Sequence, residues 1–215
     1  MHNLDPGAAP RRGFFSRICG VMALGFSGVT EAAAAEAPVD DGPDWPGKLT
    51  GRHRQVVDGY AINDGGPLRY AHNFLDSNPS PGAAAVVLIL RAGALPMALT
   101  DSIWAKYKIG ESFKIIDPET NAPAVKNPFL HPKPGVSRSD DSAIDRMLTI
   151  GAVVGACNVA LHGQAHKLAH VAGVGEAEAA KEWAANVLPG ITIIPSGVWG
   201  LNRAQEAGCT YCSGG

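Results

Sequence analysis

The stretch AAAVVLILRAG, residues 83–93, is a continuous apolar run that ends in one charged residue, Arg91. A Pro-Gly pair precedes it and an Ala-Gly pair lies at its end, so the run has the length of a strand. An unbroken apolar run of this length is typical of a parallel strand that is covered on both faces. The stretch therefore predicts an α/β fold with a buried, parallel sheet.

Further strands and helices alternate on both sides of this run. Strands are predicted over residues 52–58, 151–156 and 191–195. Helices are predicted over residues 68–75, 97–107, 163–172, 175–186 and 198–207. A further helix, capped by Asp140 or Asp141, is predicted to run to about residue 149. This alternation predicts a doubly wound, three-layer α/β sandwich with a mostly parallel sheet.

The carboxyl ends of the predicted strands are the expected place for a functional site, because ligands bind there in open α/β sheets. Three features come at such ends in the sequence: Arg91, Cys157 and the Pro195-Ser196-Gly197 turn. These features are expected to share one edge of the sheet.

Residues 1–35 have the pattern of an export signal. Arg11 and Arg12 precede a short apolar segment, residues 18–29, and an alanine run, residues 32–35. The pattern predicts a twin-arginine signal peptide and a periplasmic mature protein without a membrane span. The apolar segment is too short and too glycine-rich for a transmembrane anchor.

The mature chain is divided by composition into three parts. Residues 36–50 are acidic and proline-rich, which predicts a flexible lead-in. Residues 51–208 form the α/β domain, in which residues 110–140 carry five prolines and predict a long ordered loop. Residues 209–215 are predicted to be a C-terminal tail. The net charge of −2 gives no basic surface for nucleic acid.

Two motifs carry a family resemblance. The first is GAVVGACNVAL, residues 151–161, an apolar strand that ends in Cys157, and the second is LPGITIIPSGVWGLNRAQEAG, residues 188–208. With these motifs, residues 86–208 resemble the DsrE/DsrF-type family of small sulfur-trafficking proteins. The stretches DSIWAKYKIGE, residues 101–111, and NPF, residues 127–129, further resemble an exported subgroup of that family. The resemblance implies a doubly wound α/β fold, a homo-oligomer, and a persulfide on Cys157. It also implies small sulfur species or a sulfur-relay protein as partners.

The position of Cys157 suits such chemistry. A thiol where a strand passes into a helix lies near backbone N–H groups and the positive end of the helix dipole, and Arg91 is expected across the same crevice. Both favour the thiolate, which is the form that attacks sulfur. The alternative is an inert core cysteine, because a buried thiol commonly behaves as a small hydrophobic side chain.

A histidine stripe follows Cys157. His162, His166 and His170 are spaced at i, i+4 and i+8, so His162 and His166 can share one metal ion from a single helical face. The alternative is a solvated helix face. The sequence establishes no cofactor and leaves a metal ion or haem open at these residues.

A CxxC motif, Cys209 and Cys212, lies near the C-terminus. Ser213 stands where a c-type haem site needs histidine, so this kind of site is excluded. The motif predicts a local disulfide or a free tail, and the alternative is that one cysteine resolves a persulfide or disulfide on Cys157.

Three functions from different classes follow from these patterns. The first is an exported sulfur carrier, or sulfurtransferase-like protein, that uses Cys157. The second is a non-catalytic subunit of an oligomeric assembly, and the third is a metal- or haem-binding redox protein that uses His162 and His166.

Overall fold

The computed structural model describes residues 44–47, 49–131 and 142–215. The predicted signal peptide lies outside the described residues, as do residues 132–140 of the predicted long loop. The strands are β1 His53–Gly59, β2 Ala84–Leu90, β3 Val153–Cys157, β4 Ile191–Ile194 and β5 Thr210–Ser213. The helices are α1 Gly66–Asp76, α2 Asp101–Lys106, α3 Ile109–Phe113, α4 Ile144–Thr149, α5 Asn158–Ala172, α6 Glu176–Ala185 and α7 Gly197–Glu206.

The five strands form one sheet in the order β4-β3-β2-β1-β5, and every neighbouring pair is parallel. The chain moves step by step from β1 to β4 and then returns across the sheet to add β5 beside β1. Because parallel crossovers are right-handed, this reversal puts α7 on the opposite face from the earlier helices. The predicted doubly wound α/β fold is confirmed.

Alternate strand residues enter two separate apolar clusters, which makes the fold three-layered. The larger cluster joins Val57, Leu88 and Val154 to residues of α1, α5 and α6. The smaller cluster joins Val56 and Ile89 to Ala204 of α7. We call the side of the sheet that carries α7 the α7 face.

Among the described residues, none of the helices has the length and apolar composition needed to span a membrane.

Trp45 corrects the expectation that residues 36–50 are a flexible lead-in. Its side chain is only 7% exposed and belongs to the smaller cluster on the α7 face. Gly155 leaves room for it, since a Cβ there would lie 2.8 Å from the Trp45 ring. Trp199 of α7 packs beside it with ring centroids 6.1 Å apart. Within the described part of the lead-in, Trp45 is therefore a core residue.

Two predicted helices begin at other residues in the structure. The helix predicted over residues 97–107 is a 3₁₀ segment, Ala92–Ala98, followed by α2. Leu99 interrupts it because its extended backbone forms a bridge to Val187. The helix predicted from residue 163 begins at Asn158, directly after Cys157.

The long loop and the tail also contain regular structure. Residues 109–113 of the loop region form α3, and α4 is preceded by Ala143, without a side-chain cap. Residues 140 and 141, the predicted caps, lie outside the described residues. The predicted tail, residues 209–215, includes β5, the edge strand that pairs with β1 from Gln55↔Thr210 to Asp58↔Ser213.

Glu182 of α6 ties this helix to α2 and predicts a pH dependence of stability. Its carboxylate accepts hydrogen bonds from Lys106 Nζ at 2.7 Å and from the buried Tyr107 hydroxyl at 2.6 Å. The Lys106 bond, then the Tyr107 bond, lower the Glu182 pKa, so their stabilisation is complete above the ordinary glutamate pKa of about 4.3 and is lost as the pH falls below it. We expect Glu182→Gln to lose about 1 kcal/mol at pH 7 and little at pH 3, as measured by urea unfolding.

The matched control for this prediction is Glu178→Gln, which removes the same charge from an exposed residue one turn before Glu182 on α6. Its unfolding free energy should differ from wild type by less than about 0.5 kcal/mol at either pH. A Glu182→Gln deficit that is equally large at pH 3 and pH 7 would contradict the predicted role of the charged carboxylate.

Candidate functional site

The carboxyl ends of the strands carry a row of polar side chains and one thiol on the α7 face. Asp58 lies at the end of β1, Arg91 follows β2, and Cys157 ends β3. Ser196 follows β4 and Tyr211 lies in β5. Because β5 adds next to β1 after the chain has reversed direction, the topological switch point of the sheet lies between these two strands.

Cys157 is held at the junction between β3 and α5. It is the N-cap of the 15-residue helix α5, and its Sγ accepts a hydrogen bond from the Ala160 backbone N–H at 3.3 Å. The residue is 5% exposed. Since Gly155 faces Trp45 and Ala156 enters the larger cluster, the alternation of β3 directs Cys157 to the α7 face. The thiol therefore lies where the sequence places it, at a helix N-terminus on the carboxyl edge.

Arg91 is a direct neighbour of Cys157 in register but is bound to another residue. Leu90 pairs with Ala156, so Arg91 and Cys157 follow at adjacent strand ends. The guanidinium nevertheless donates from Nε to Asp58 Oδ1 at 2.6 Å and from Nη2 to Asp58 Oδ2 at 2.8 Å. The Asp58 hydrogen bonds raise the Arg91 pKa. Arg91 therefore lies at the expected edge beside the strand that ends in Cys157, and its guanidinium forms a bidentate ion pair with Asp58.

Three residues of this cluster are absent from the sequence-based site. Asp58 is 5% exposed at its side chain and also accepts a hydrogen bond from the Tyr211 hydroxyl at 3.0 Å, which raises the Tyr211 pKa. The Tyr60 ring lies under the Arg91 guanidinium at 4.6 Å. A polar residue at the end of the predicted strand 52–58 was the available signal for Asp58. Tyr211 had no such signal, because β5 was not recognised.

Cys209 and Cys212 are not brought together. Both are free thiols, and they enter opposite sides of the sheet, because Cys209 belongs to the cluster of the α7 face and Cys212 packs against the larger cluster. Burial raises the Cys209 pKa, with a smaller opposing effect of Arg54. The predicted local disulfide is therefore absent from this structure, and so is the free tail.

The order of the strands also argues against a resolving role for these two cysteines. β5 is three strands away from β3, which at about 4.8 Å per strand is about 14 Å. Cys212 pairs with Val57, and the register through β2 places it at the level of Val154, below the edge that carries Cys157. Neither Cys209 nor Cys212 can therefore attack sulfur on Cys157 of the same chain.

His162 and His166 lie on the exposed side of α5, and their ring centroids are 5.9 Å apart in an edge-on arrangement. Glu176 Oε2 is 3.8 Å from His166 Nδ1. Within the described residues, no group of three metal-ligating side chains forms. The metal site therefore stays a prediction that rests on two histidine ligands.

Comparisons with known proteins find distant similarity among solved structures. No protein-family model matches the chain. No curated protein matches it either. A solved structure of a protein of unknown function, MTH1491 from Methanobacterium thermoautotrophicum, is similar with 12% sequence identity and a TM-score of 0.43. The similarity covers 75% of this chain and 98% of that one.

Proposed function

We propose that the protein is a sulfur carrier that holds sulfur as a persulfide on Cys157. The observation that carries the proposal is the hydrogen bond from the Ala160 N–H to Cys157 Sγ at the first turn of α5. A backbone N–H and the positive end of a helix stabilise negative charge on sulfur, which is needed for nucleophilic attack and for holding a persulfide anion. The resemblance of residues 86–208 to DsrE/DsrF-type proteins supports the same residue.

The reaction is a transfer of sulfane sulfur. The Cys157 thiolate attacks the outer sulfur of a donor persulfide R–S–SH; the donor S–S bond breaks, R–S⁻ leaves, and the persulfide Cys157–S–SH forms. An acceptor thiolate then attacks the outer sulfur of this persulfide and releases the Cys157 thiolate. No net oxidation occurs, since each step exchanges one S–S bond for another.

A persulfide also extends the reach of this recessed residue. Cys157 is 5% exposed, so its Sγ offers little surface to a large acceptor. An S–S bond is about 2.05 Å long, and the transferable sulfur therefore lies about 2 Å beyond Sγ. The proposed donor is accordingly a small sulfur species, and the acceptor is a thiol that meets the outer sulfur at the edge. Periplasmic export and a homo-oligomer belong to the same proposal; they rest on residues 1–35 and on the resemblance.

Sulfur loading tests the proposal directly. The full-length mature protein is incubated with inorganic polysulfide, and its peptides are analysed by mass spectrometry. We expect the peptide that contains Cys157 to gain the mass of one sulfur atom, and this gain to disappear after reduction with dithiothreitol. Cys157→Ser should remove the adduct completely, because serine cannot form a persulfide.

Cys212→Ser is the matched control, since it also replaces one thiol with a hydroxyl but on the larger-cluster side of the sheet. It should load to the wild-type extent. If Cys157 acquires no sulfur from any donor while the protein is folded, the carrier function is wrong. The non-catalytic assembly subunit would then be the better hypothesis.

A further inference from the structure

The Arg91 side chain is fixed along its whole length. Its aliphatic part packs against the first turn of α7, where a Cβ on Gly197 would lie 2.7 Å from Arg91 Cβ. Its guanidinium lies over the Tyr60 ring and is bound at one edge by both oxygens of Asp58. A planar guanidinium held this way has lost its rotational freedom before any ligand arrives.

One edge of the same guanidinium stays available. Asp58 takes the N–H groups of Nε and Nη2, and Nη1 makes no hydrogen bond to any residue that the structure describes. The Arg91 side chain is 24% exposed, so part of it is in contact with solvent. A guanidinium has five N–H donors, and Nη2 carries two of them, so the Nη1/Nη2 edge can donate to a second oxyanion while the first edge is occupied.

This cation is the neighbour of the reactive thiol. Arg91 and Cys157 occupy adjacent positions at the ends of two paired strands, and strand alternation puts both on the α7 face. A small molecule that reacts with Cys157 from the edge of the sheet therefore approaches next to Arg91. Asp58 acts on such a molecule only through the guanidinium that it holds in place. Asp58 is therefore a positioning residue.

We infer that Arg91, positioned by Asp58, is an anion-recognition residue that selects negatively charged reactants for Cys157. The inference rests on the proposed function in that it names the substrate class of the same site: an anionic persulfide or polysulfide. The binding chemistry is a charge-assisted hydrogen bond, which contributes more than a neutral one and depends on the geometry of the fork.

Paired alkylating reagents test this selectivity without any sulfur chemistry. Iodoacetate and iodoacetamide transfer similar groups by the same displacement of iodide by the thiolate, and only iodoacetate carries a charge. The rate constant for Cys157 is measured with each reagent by quantifying its peptide. We expect Arg91→Gln to lower the iodoacetate-to-iodoacetamide ratio about tenfold or more. Asp58→Asn should lower the ratio in the same direction, by a smaller factor.

Arg54→Gln is the control for a general loss of positive charge. Arg54 is also a part-buried arginine with side-chain hydrogen bonds, to Gly51 and Ala207, but it lies near the amino end of β1. Its ratio should stay within about twofold of wild type. A ratio that Arg91→Gln leaves unchanged, or that Arg54→Gln lowers equally, would overturn the inference.

Sulfur donors then identify the recognised anion. Inorganic polysulfide carries its charge on sulfur, and glutathione persulfide adds carboxylates. A dialkyl trisulfide is neutral, and its reaction is quantified as the mixed disulfide or trisulfide that forms on Cys157 when R–S–S⁻ or R–S⁻ leaves. If Arg91→Gln loses loading with both anionic donors but not with the trisulfide, the result supports recognition of charge. If it loses loading with glutathione persulfide alone, the result supports recognition of a carboxylate. An equal loss with all three donors contradicts the inference. Absence of loading in the wild type instead refutes the carrier function, and the alkylation ratio still tests Arg91.

Discussion

Gly110→Ala is expected to destabilise the protein by about 3 kcal/mol or more. Gly110 is buried in α3, and a Cβ there would lie 2.9 Å from the Ala124 carbonyl carbon and closer still to its oxygen and nitrogen. These atoms belong to the backbone, so no side-chain rotation can relieve the overlap. Ala124 is itself anchored by a hydrogen bond from its N–H to the Ile115 carbonyl at 2.9 Å. Urea unfolding monitored by tryptophan fluorescence measures the loss.

Gly163→Ala is the matched control for the added methyl group. Gly163 lies inside α5, and a Cβ there would meet nothing within 4 Å. Alanine at such a position stabilises a helix by about 0.5–1 kcal/mol, because glycine loses more backbone entropy on folding. The two variants should therefore change stability in opposite directions. A Gly110→Ala protein within about 1 kcal/mol of wild type would show that residues 110 and 124 separate easily.

The parts of the fold that could be predicted are those whose signal is local. Residues 83–93 and 151–156 are unbroken apolar runs, and both are central strands covered on two faces, β2 and β3. Their order along the chain, with helices between them, is sufficient to predict a parallel sheet. The same argument places Cys157 at the carboxyl edge, because the residue that ends an apolar strand must lie there.

The parts that could not be predicted depend on contacts between distant residues. β5 is four residues long, all four of its side chains are exposed or half-exposed, and it pairs with one neighbour, so its sequence lacks the apolar run of a central strand. Trp45 is buried because Gly155 and Gly200, more than a hundred residues later, leave a place for its ring. A proline-rich, acidic segment gives no local indication of such a place.

The partner of Arg91 shows the same limit at the candidate site. β2 has a neighbour on each side, so an arginine at its end can turn towards β1 or towards β3. The sequence analysis placed Arg91 across the crevice from Cys157 on β3. In the structure Arg91 binds Asp58, a carboxylate 33 residues earlier that also binds Tyr211. A charged carboxylate is the stronger partner for a guanidinium, and the two oxygens of Asp58 match the fork of Arg91 in a bidentate ion pair.

Asp58→Ala is expected to destabilise the protein by about 3 kcal/mol. Removal of one partner from a buried ion pair costs about 3–5 kcal/mol, and the lower end applies because Arg91 is 24% exposed and regains some hydration. The Tyr211 hydroxyl also loses its acceptor at 3.0 Å. Since this hydrogen bond raises the Tyr211 pKa, an ultraviolet titration should show that pKa falling towards the ordinary tyrosine value in the variant. Asp76→Ala, an exposed aspartate at the end of α1, should change stability by less than about 0.5 kcal/mol.

A double variant separates the loss of a contact from the presence of an unpaired charge. If the unpaired Arg91 charge is the main cause, Asp58→Leu alone should be strongly destabilising, whereas Asp58→Leu with Arg91→Met should recover at least half of the loss. Apolar residues of similar volume replace buried ion pairs at little or no cost once both charges are gone. A double variant no more stable than Asp58→Leu would instead show that the unpaired Arg91 charge is not the main cause of the destabilisation. The first result would mean that the ion pair is maintained at the carboxyl edge for the orientation of its guanidinium and not for the stability of the fold.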